Sequence, residues 1–104
     1  MPPARIVLAD DHTLVRAGVC KLIESMPAFQ VVGQADNGRQ VLELAEQLQP
    51  DLVLMDLSMP GLTGLEATAR LRKAWPEMRV VILSMHQNEE YVRQALRNGA
   101  VAYL

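Results

Sequence analysis

Apolar residues along the chain follow two alternating patterns. Five short runs are rich in β-branched residues and apolar on both faces, which predicts buried parallel strands. These runs are Arg5–Ala9, Gln30–Ala35, Leu52–Met55, Val80–Ser84 and Val101–Leu104. The segments between them carry apolar residues at helical spacing, which predicts four amphipathic helices. The four apolar stripes are Val15, Val19, Leu22, Ile23 and Met26; Val41, Leu44, Ala45 and Leu48; Leu65, Thr68, Leu71 and Trp75; and Val92, Ala95 and Leu96.

Boundary residues agree with this alternation. Thr13, Asn37 and Asn88 are predicted N-caps, and Gly99 is a predicted helix stop. Pro27, Pro50 and Pro76 each follow a helical segment. Strands that alternate with helices predict an α/β fold, a parallel sheet with helices on both faces. The 104 residues suffice for one domain, over residues 1–104.

Composition and charge narrow the class of protein. The net charge of −2 gives no basic field, so no contact with nucleic acid or an anionic membrane surface is predicted. The single cysteine, Cys20, forms no internal disulfide, which favours a cytoplasmic location. No apolar run approaches the roughly 18 residues that cross a bilayer, and the N-terminus lacks a signal-peptide pattern. We therefore predict a chain that is neither membrane-spanning nor exported.

Acidic residues follow two of the predicted strands. Asp10 and Asp11 end the first strand and Asp56 ends the third, while Ser84 lies at the end of the fourth. Ligands in an open α/β sheet bind at the carboxyl ends of strands, so these side chains share one rim if the three strands are neighbours. Three close carboxylates stay ionised near neutrality only around a cation. Because the candidate ligands are all oxygens, Mg²⁺ or Mn²⁺ is favoured over Zn²⁺.

The same rim suggests phosphoryl chemistry. Asp56 can attack a phosphorus atom and form an aspartyl phosphate, with the Ser84 hydroxyl donating to the transferred group. The turn at Pro60 and Gly61 leaves backbone groups near Ser58 and Met59 to face the site. His12 and His86 are interpreted as solvent-facing or hydrogen-bonded neighbours rather than metal ligands, and Cys20 as an inert residue beside the first helical stripe.

Four segments of the chain resemble a known family. The segments "ADDH", "MDLSMPG", "VILSMH" and "GAVAYL" resemble, in order and spacing, the receiver domains of two-component response regulators. The segments "DDHTLVRAGV", "GLEATARLR" and "SMHQNEEYVRQAL" are similar to the NarL/LuxR subgroup, whose members carry a C-terminal helix-turn-helix domain. The resemblance implies a flavodoxin/CheY-like doubly wound sheet of five parallel strands in the order 2-1-3-4-5.

The resemblance also implies a role for individual residues. Asp56 is expected to be the phosphoacceptor, and Asp11 and Asp56 to bind Mg²⁺ directly. Asp10 is expected to act mostly through metal-bound water, and the Ser58 backbone carbonyl to complete the metal ligands. Ser84 is the expected phosphoryl contact and Tyr103 the expected switch aromatic. The implied donor is a phosphohistidine on a sensor histidine kinase, and the receiver catalyses the transfer without being a turnover enzyme.

One feature departs from the family pattern. Receiver domains have a lysine three positions beyond the switch aromatic, whereas this chain ends one residue after Tyr103. Either the chain is cut before the last helix and before any output domain, or the protein lacks part of its switch. We favour the cut, so that DNA is contacted only through the missing part. The uncovered apolar surface is expected to favour a homodimer or an exchange of elements.

Two other functions are compatible with the predicted fold. One is an interaction module that signals by binding a partner without phosphorylation. The other is a Mg²⁺-dependent phosphatase with an aspartyl nucleophile. Such phosphatases usually carry a second aspartate two residues after the nucleophile, where this chain has Ser58. The three intact carboxylates favour the phosphorylation-controlled switch of a transcriptional regulator.

Overall fold

A computed structural model gives the structure of the chain and describes residues 2–57, 59–83 and 89–103. Strands and helices alternate in the predicted order. They are β1 (Ala4–Ala9), α1 (Thr13–Glu24), β2 (Phe29–Ala35), α2 (Gly38–Leu48), β3 (Leu52–Met55), α3 (Gly64–Ala74), β4 (Arg79–Ile82), α4 (Glu89–Arg97) and β5 (Ala102–Tyr103). Within the described residues, no helix has the length and apolar character needed to cross a membrane.

The five strands form one parallel sheet in the order β2-β1-β3-β4-β5, which confirms the expected order. β2 lies beside β1 at one edge of the sheet. The chain then crosses back over β1, and β3, β4 and β5 follow one another on the other side of β1. Because the crossovers are right-handed, this reversal places α1 on one face and α2, α3 and α4 on the other. The contacts of α3 with both α2 and α4 agree with this arrangement. The carboxyl ends of β1 and β3 flank the point of reversal, where open α/β sheets bind ligands.

The two faces of the sheet are buried to different extents. The larger core lies under α2, α3 and α4 and includes Val7, Val53, Met55, Leu71 and Ile82. Alternate residues of a strand point to opposite faces, so Ile6 and Leu8 of β1 face α1 instead. They are buried, as are Cys20 and Ile23 of α1.

The predicted apolar stripe of α1 is only partly buried. Ile23 is buried and Val19 is half-buried, whereas Val15, Leu22 and Met26 are exposed. The stripe is only partly covered because, among the described elements, only β1 and β2 make substantial contact with α1. Leu96 of the α4 stripe is likewise exposed, whereas Ala95 is fully buried.

The helix caps correct one prediction and confirm another. The N-cap of α1 is His12 rather than Thr13, and its side chain makes no capping hydrogen bond. The Asn37 side chain does cap α2, accepting from the Gln40 N–H at 2.9 Å. Thr63 caps α3, which the sequence analysis missed, although Thr63 and Glu66 have the spacing of a capping box. Asn88, the third predicted cap, lies outside the described residues.

Candidate functional site

Two of the predicted acidic residues lie at the same level at the carboxyl edge of the sheet. Ala9 and Met55 are paired in neighbouring strands, so Asp10 and Asp56 both lie one residue beyond that pair. The Asp10 N–H donates to the Ala35 carbonyl at 3.0 Å, and the Asp56 N–H donates to the Ala9 carbonyl at 2.9 Å. Backbone hydrogen bonds of the sheet therefore fix both residues at the point where the strand order reverses.

The carboxylates of Asp10, Asp11 and Asp56 come together at this rim with the imidazole of His12. One ligand atom from each residue lies within 4.8 Å of the other three. The side chains of Asp10 and Asp56 are each only 12% exposed and form the floor of the cluster, whereas that of Asp11 is 33% exposed. The cluster is open to solvent on the side of Asp11 and His12.

His12 is the cation of this cluster when it is protonated. Its Nδ1 lies 2.9 Å from Asp10 Oδ1, 3.1 Å from Asp11 Oδ1 and 4.0 Å from Asp56 Oδ2. The hydrogen bond to Asp10, followed by the negative charge of Asp11, raises the pKa of His12 above its ordinary value of 6.5. The His12 backbone N–H also donates to Asp10 Oδ1 at 2.8 Å, which orients that carboxylate.

The donor set fits a hard divalent cation. Oxygens bound to Mg²⁺ at about 2.0 to 2.1 Å in an octahedron lie about 2.9 to 4.2 Å from one another. The candidate atoms all lie within 4.8 Å of one another, so the three carboxylates are close enough to converge on one ion. Mg²⁺ prefers oxygen ligands, whereas a transition metal would also accept the His12 imidazole. The acidic cluster is therefore a candidate metal centre.

The loop after Asp56 is shaped by two glycines. Gly61 has a φ of +72°, a conformation that favours glycine, and it follows Pro60 in the predicted turn. Gly64 begins α3 and donates its N–H to the Leu57 carbonyl at 2.9 Å. A Cβ at position 64 would lie only 2.4 Å from the Asp56 carbonyl oxygen. The start of α3 therefore packs directly against the backbone of the candidate phosphoacceptor.

The structure brings together three of the predicted site residues. Asp10, Asp11 and Asp56 converge, as the strand pattern predicted. Ser58, Ser84 and His86 lie outside the described residues. Tyr103 lies in β5 opposite Ile82, and its side chain is outside what the structure describes.

Sequence reasoning placed His12 near the site only as a neighbour, and it missed Arg16 entirely. His12 is 65% exposed and hydrogen-bonded to Asp10, so it matches the predicted interpretation and also completes the cluster. Arg16 donates from Nη1 to the Asp10 carbonyl at 2.6 Å. The available signal was spacing, because Arg16 lies one helical turn after His12 at the start of α1.

Comparisons with known proteins agree with this geometry. The model of the response regulator receiver domain family matches residues 6–104. The chain is 50% identical to the nitrate/nitrite response regulator protein NarL of Escherichia coli K12, over 98% of this chain and 47% of NarL. It is 42% identical to the transcriptional regulatory protein DegU of Brevibacillus brevis, over 96% of this chain and 42% of DegU. The chain thus spans about half the length of these curated relatives.

Solved structures show the same likeness. The signal receiver domain of a NarL response regulator from Mycobacterium tuberculosis superposes with a TM-score of 0.96 at 38% identity, covering all of this chain and 84% of that one. A two-component response regulator of the LuxR family from Aurantimonas sp. SI85-9A1 gives a TM-score of 0.94 at 40% identity, covering 97% of this chain and 72% of that one. The chain belongs to the response regulator receiver domain family, as a receiver of the NarL/LuxR type.

Proposed function

We propose that this receiver accepts a phosphoryl group on Asp56 and acts as a phosphorylation-controlled switch. One observation carries the proposal: the carboxylates of Asp10, Asp11 and Asp56 converge at the point where the strand order reverses. Three carboxylates this close repel one another, and protonated His12 supplies only one positive charge, so a bound divalent cation stabilises the arrangement. A domain that used the same surface only to bind a protein would have no need for all three.

Asp10, Asp11 and Asp56, with the Ser58 backbone carbonyl, are the residues that would hold Mg²⁺ or Mn²⁺. When bound, the ion supplies positive charge that neutralises the transferring phosphoryl group. The fit rests on oxygen donors of suitable separation at a rim that is open to solvent on the Asp11 side. The domain of residues 1–104 would then carry its metal ligands on the two loops that follow β1 and β3.

In the proposed reaction, a carboxylate oxygen of Asp56 attacks the phosphorus of a phosphohistidine on a sensor kinase. The O–P bond forms as the N–P bond breaks, and the departing imidazole nitrogen keeps the bonding electron pair and takes up a proton. The product is an aspartyl phosphate. Ser84 would contact the phosphoryl group and Tyr103 would follow the switch, by their match to the family pattern. Because the transfer happens once per phosphorylation event, the receiver is a phosphoryl acceptor rather than a turnover enzyme.

The proposed partners follow from the family and from the share of the relatives that the chain spans. A sensor histidine kinase would supply the phosphoryl group, and a second copy of the receiver would form a homodimer. Since the chain spans 47% of NarL, DNA would be contacted by a region outside it. The chain itself carries a net charge of −2, so it has no net positive charge to attract DNA. The free, buried thiol of Cys20 fits the reducing cytoplasm.

The test is the intact mass of the chain after incubation with acetyl phosphate, with and without Mg²⁺. We expect a gain of one phosphoryl group that requires Mg²⁺, that Asp56→Asn abolishes and that Asp36→Asn leaves unchanged. Asp36 is a matched control because it is an exposed aspartate just after β2. No gain in a folded chain that binds Mg²⁺ would favour the phosphorylation-independent interaction module instead. Repeated hydrolysis of a phosphate ester would favour the phosphatase.

A further inference from the structure

Arg16 is a cation close to the acidic cluster that the proposed chemistry does not use. It lies in the first turns of α1, and its side chain is partly buried against the β1–α1 turn. Nη1 donates to the backbone carbonyl of Asp10 at 2.6 Å, and Nε donates to the Gln34 side chain of β2 at 3.3 Å. The guanidinium thus joins the end of β1 to α1 and to the neighbouring strand.

The bond to Asp10 holds the backbone from which two of the candidate metal ligands project. The Asp10 N–H is already tied to Ala35 of β2. With its carbonyl bound to Arg16, both backbone polar groups of Asp10 are fixed, and the peptide plane that leads to Asp11 is fixed with them. Arg16, Asp10 and Asp56 also line the same small cavity, of about 10 Å³, beneath the rim.

We propose that Arg16 is a positioning residue for the acidic cluster. Its fork of donors sets the direction of the β1–α1 turn, so that the Asp10 and Asp11 carboxylates face Asp56 and can share a divalent cation. Arginine suits this task because its planar guanidinium donates in two directions at once. The inference rests on the proposed metal site, and it predicts that metal affinity depends on a residue that is not itself a ligand.

The sign of the effect separates positioning from simple electrostatics. A positive charge beside the cluster repels a divalent cation, so its removal raises metal affinity if charge alone matters. If Arg16 positions the ligands, its removal lowers affinity. Partners that orient metal ligands typically contribute 10- to 100-fold in affinity. For Arg16→Met we expect Mn²⁺ to bind about tenfold more weakly, the lower end of that range, because Arg16 holds the backbone of the ligands rather than a carboxylate.

The experiment titrates the 104-residue chain with Mn²⁺ and measures free Mn²⁺ by electron paramagnetic resonance. Circular dichroism measures the folded fraction of each variant, so that the affinity is calculated for folded protein alone.

Arg16→Lys keeps the charge and a single donor group, so its Mn²⁺ affinity is expected to lie between those of wild type and Arg16→Met. Gln34→Ala removes the side-chain oxygen that accepts from Arg16 Nε, without changing the charge. We expect it to weaken Mn²⁺ binding by about threefold, less than the loss for Arg16→Met. Arg39→Met, an exposed arginine of α2, removes the same charge on the other face of the sheet and is expected to leave affinity unchanged.

The possible outcomes distinguish this inference from the proposed function. If wild type binds no Mn²⁺, the proposed metal site is wrong. If wild type binds and folded Arg16→Met binds equally well or more tightly, the metal site stands and the positioning role of Arg16 is overturned. An equal loss in Arg39→Met would overturn it as well, since the loss would then not depend on the hydrogen bonds that Arg16 makes at the β1–α1 turn.

Discussion

At the scale of single residues, Gly64 leaves no room for a side chain beside the backbone of Asp56. A methyl group at position 64 would lie 2.4 Å from the Asp56 carbonyl oxygen and 2.9 Å from the Leu57 Cα. These are backbone atoms, so no side-chain rotation relieves the overlap. We expect Gly64→Ala to lower the free energy of unfolding by about 1 to 3 kcal/mol, as overpacking does, because the loop after β3 must move.

Gly18→Ala is the matched control for this prediction. Gly18 lies inside α1, and a Cβ there would meet no atom within 4 Å apart from its chain neighbours and the local helix backbone. Alanine should therefore stabilise the chain by about 0.5 to 1 kcal/mol, through its better helix propensity. Urea unfolding at equilibrium measures both changes. Equal stability of Gly64→Ala and wild type would mean that the start of α3 does not press on the phosphoacceptor loop.

The acidic residues of the site could be predicted from sequence, but the particular contacts that His12 and Arg16 make with them could not. Asp10 and Asp56 each follow an apolar run directly, so their position at the rim follows from strand geometry alone. The contacts of His12 and Arg16 depend on side-chain direction in a turn. A pattern of apolar and polar residues does not encode that direction, because both residues are polar and partly exposed.

At the scale of elements, the two predicted caps that lie within the described residues, Thr13 and Asn37, provide a direct comparison. The Asn37 side chain accepts from the Gln40 N–H at 2.9 Å, whereas Thr13 lies inside α1 and does not occupy the cap position. We expect Asn37→Ala to lower the free energy of unfolding by about 1 kcal/mol. Thr13→Ala should change it by less than about 0.5 kcal/mol. Chemical denaturation followed by circular dichroism compares them, and a larger loss at Thr13 would contradict the observed caps.

The helix and strand order was predictable because both periodicities are strong in this chain. Bounds agreed to within one or two residues where a proline or a cap marked them, as at Pro50 after α2. The cap of α1 was not predictable, because Thr13 and His12 compete for one position. His12 occupies it with an extended backbone, and its imidazole is hydrogen-bonded to Asp10. N-cap propensity favours threonine at this position, whereas the structure places His12 there, in contact with the acidic cluster.

At the scale of the whole molecule, the order of the strands explains why the site and the weakly covered face lie where they do. The first crossover leads from β1 to β2, and the remaining three lead the other way, so α1 is alone on its face among the described helices. The reversal creates the crevice in which the acidic cluster lies. The same reversal leaves α1 with fewer neighbours than α2 or α3.

The exposed side of α1 carries a row of large apolar residues. Leu14 is 88% exposed, Val15 50% and Leu22 65%. Residues seven and eight positions apart lie on the same side of a helix, so Leu22 shares a surface with both Leu14 and Val15. Contiguous apolar surface of this kind typically marks an interaction site. The proposed homodimer should therefore bury the α1 face of this chain.

Sedimentation equilibrium at increasing concentration tests that arrangement. We expect the average mass to rise from 11.5 kDa toward twice that value, because association removes the α1 row from water. Leu22→Arg places a charge in the row and should hold the chain at the monomer mass. Leu96→Arg makes the same change at an exposed leucine of α4 and should leave association unchanged. A monomer at every concentration, or equal disruption by both variants, would exclude α1 as the surface through which two copies associate.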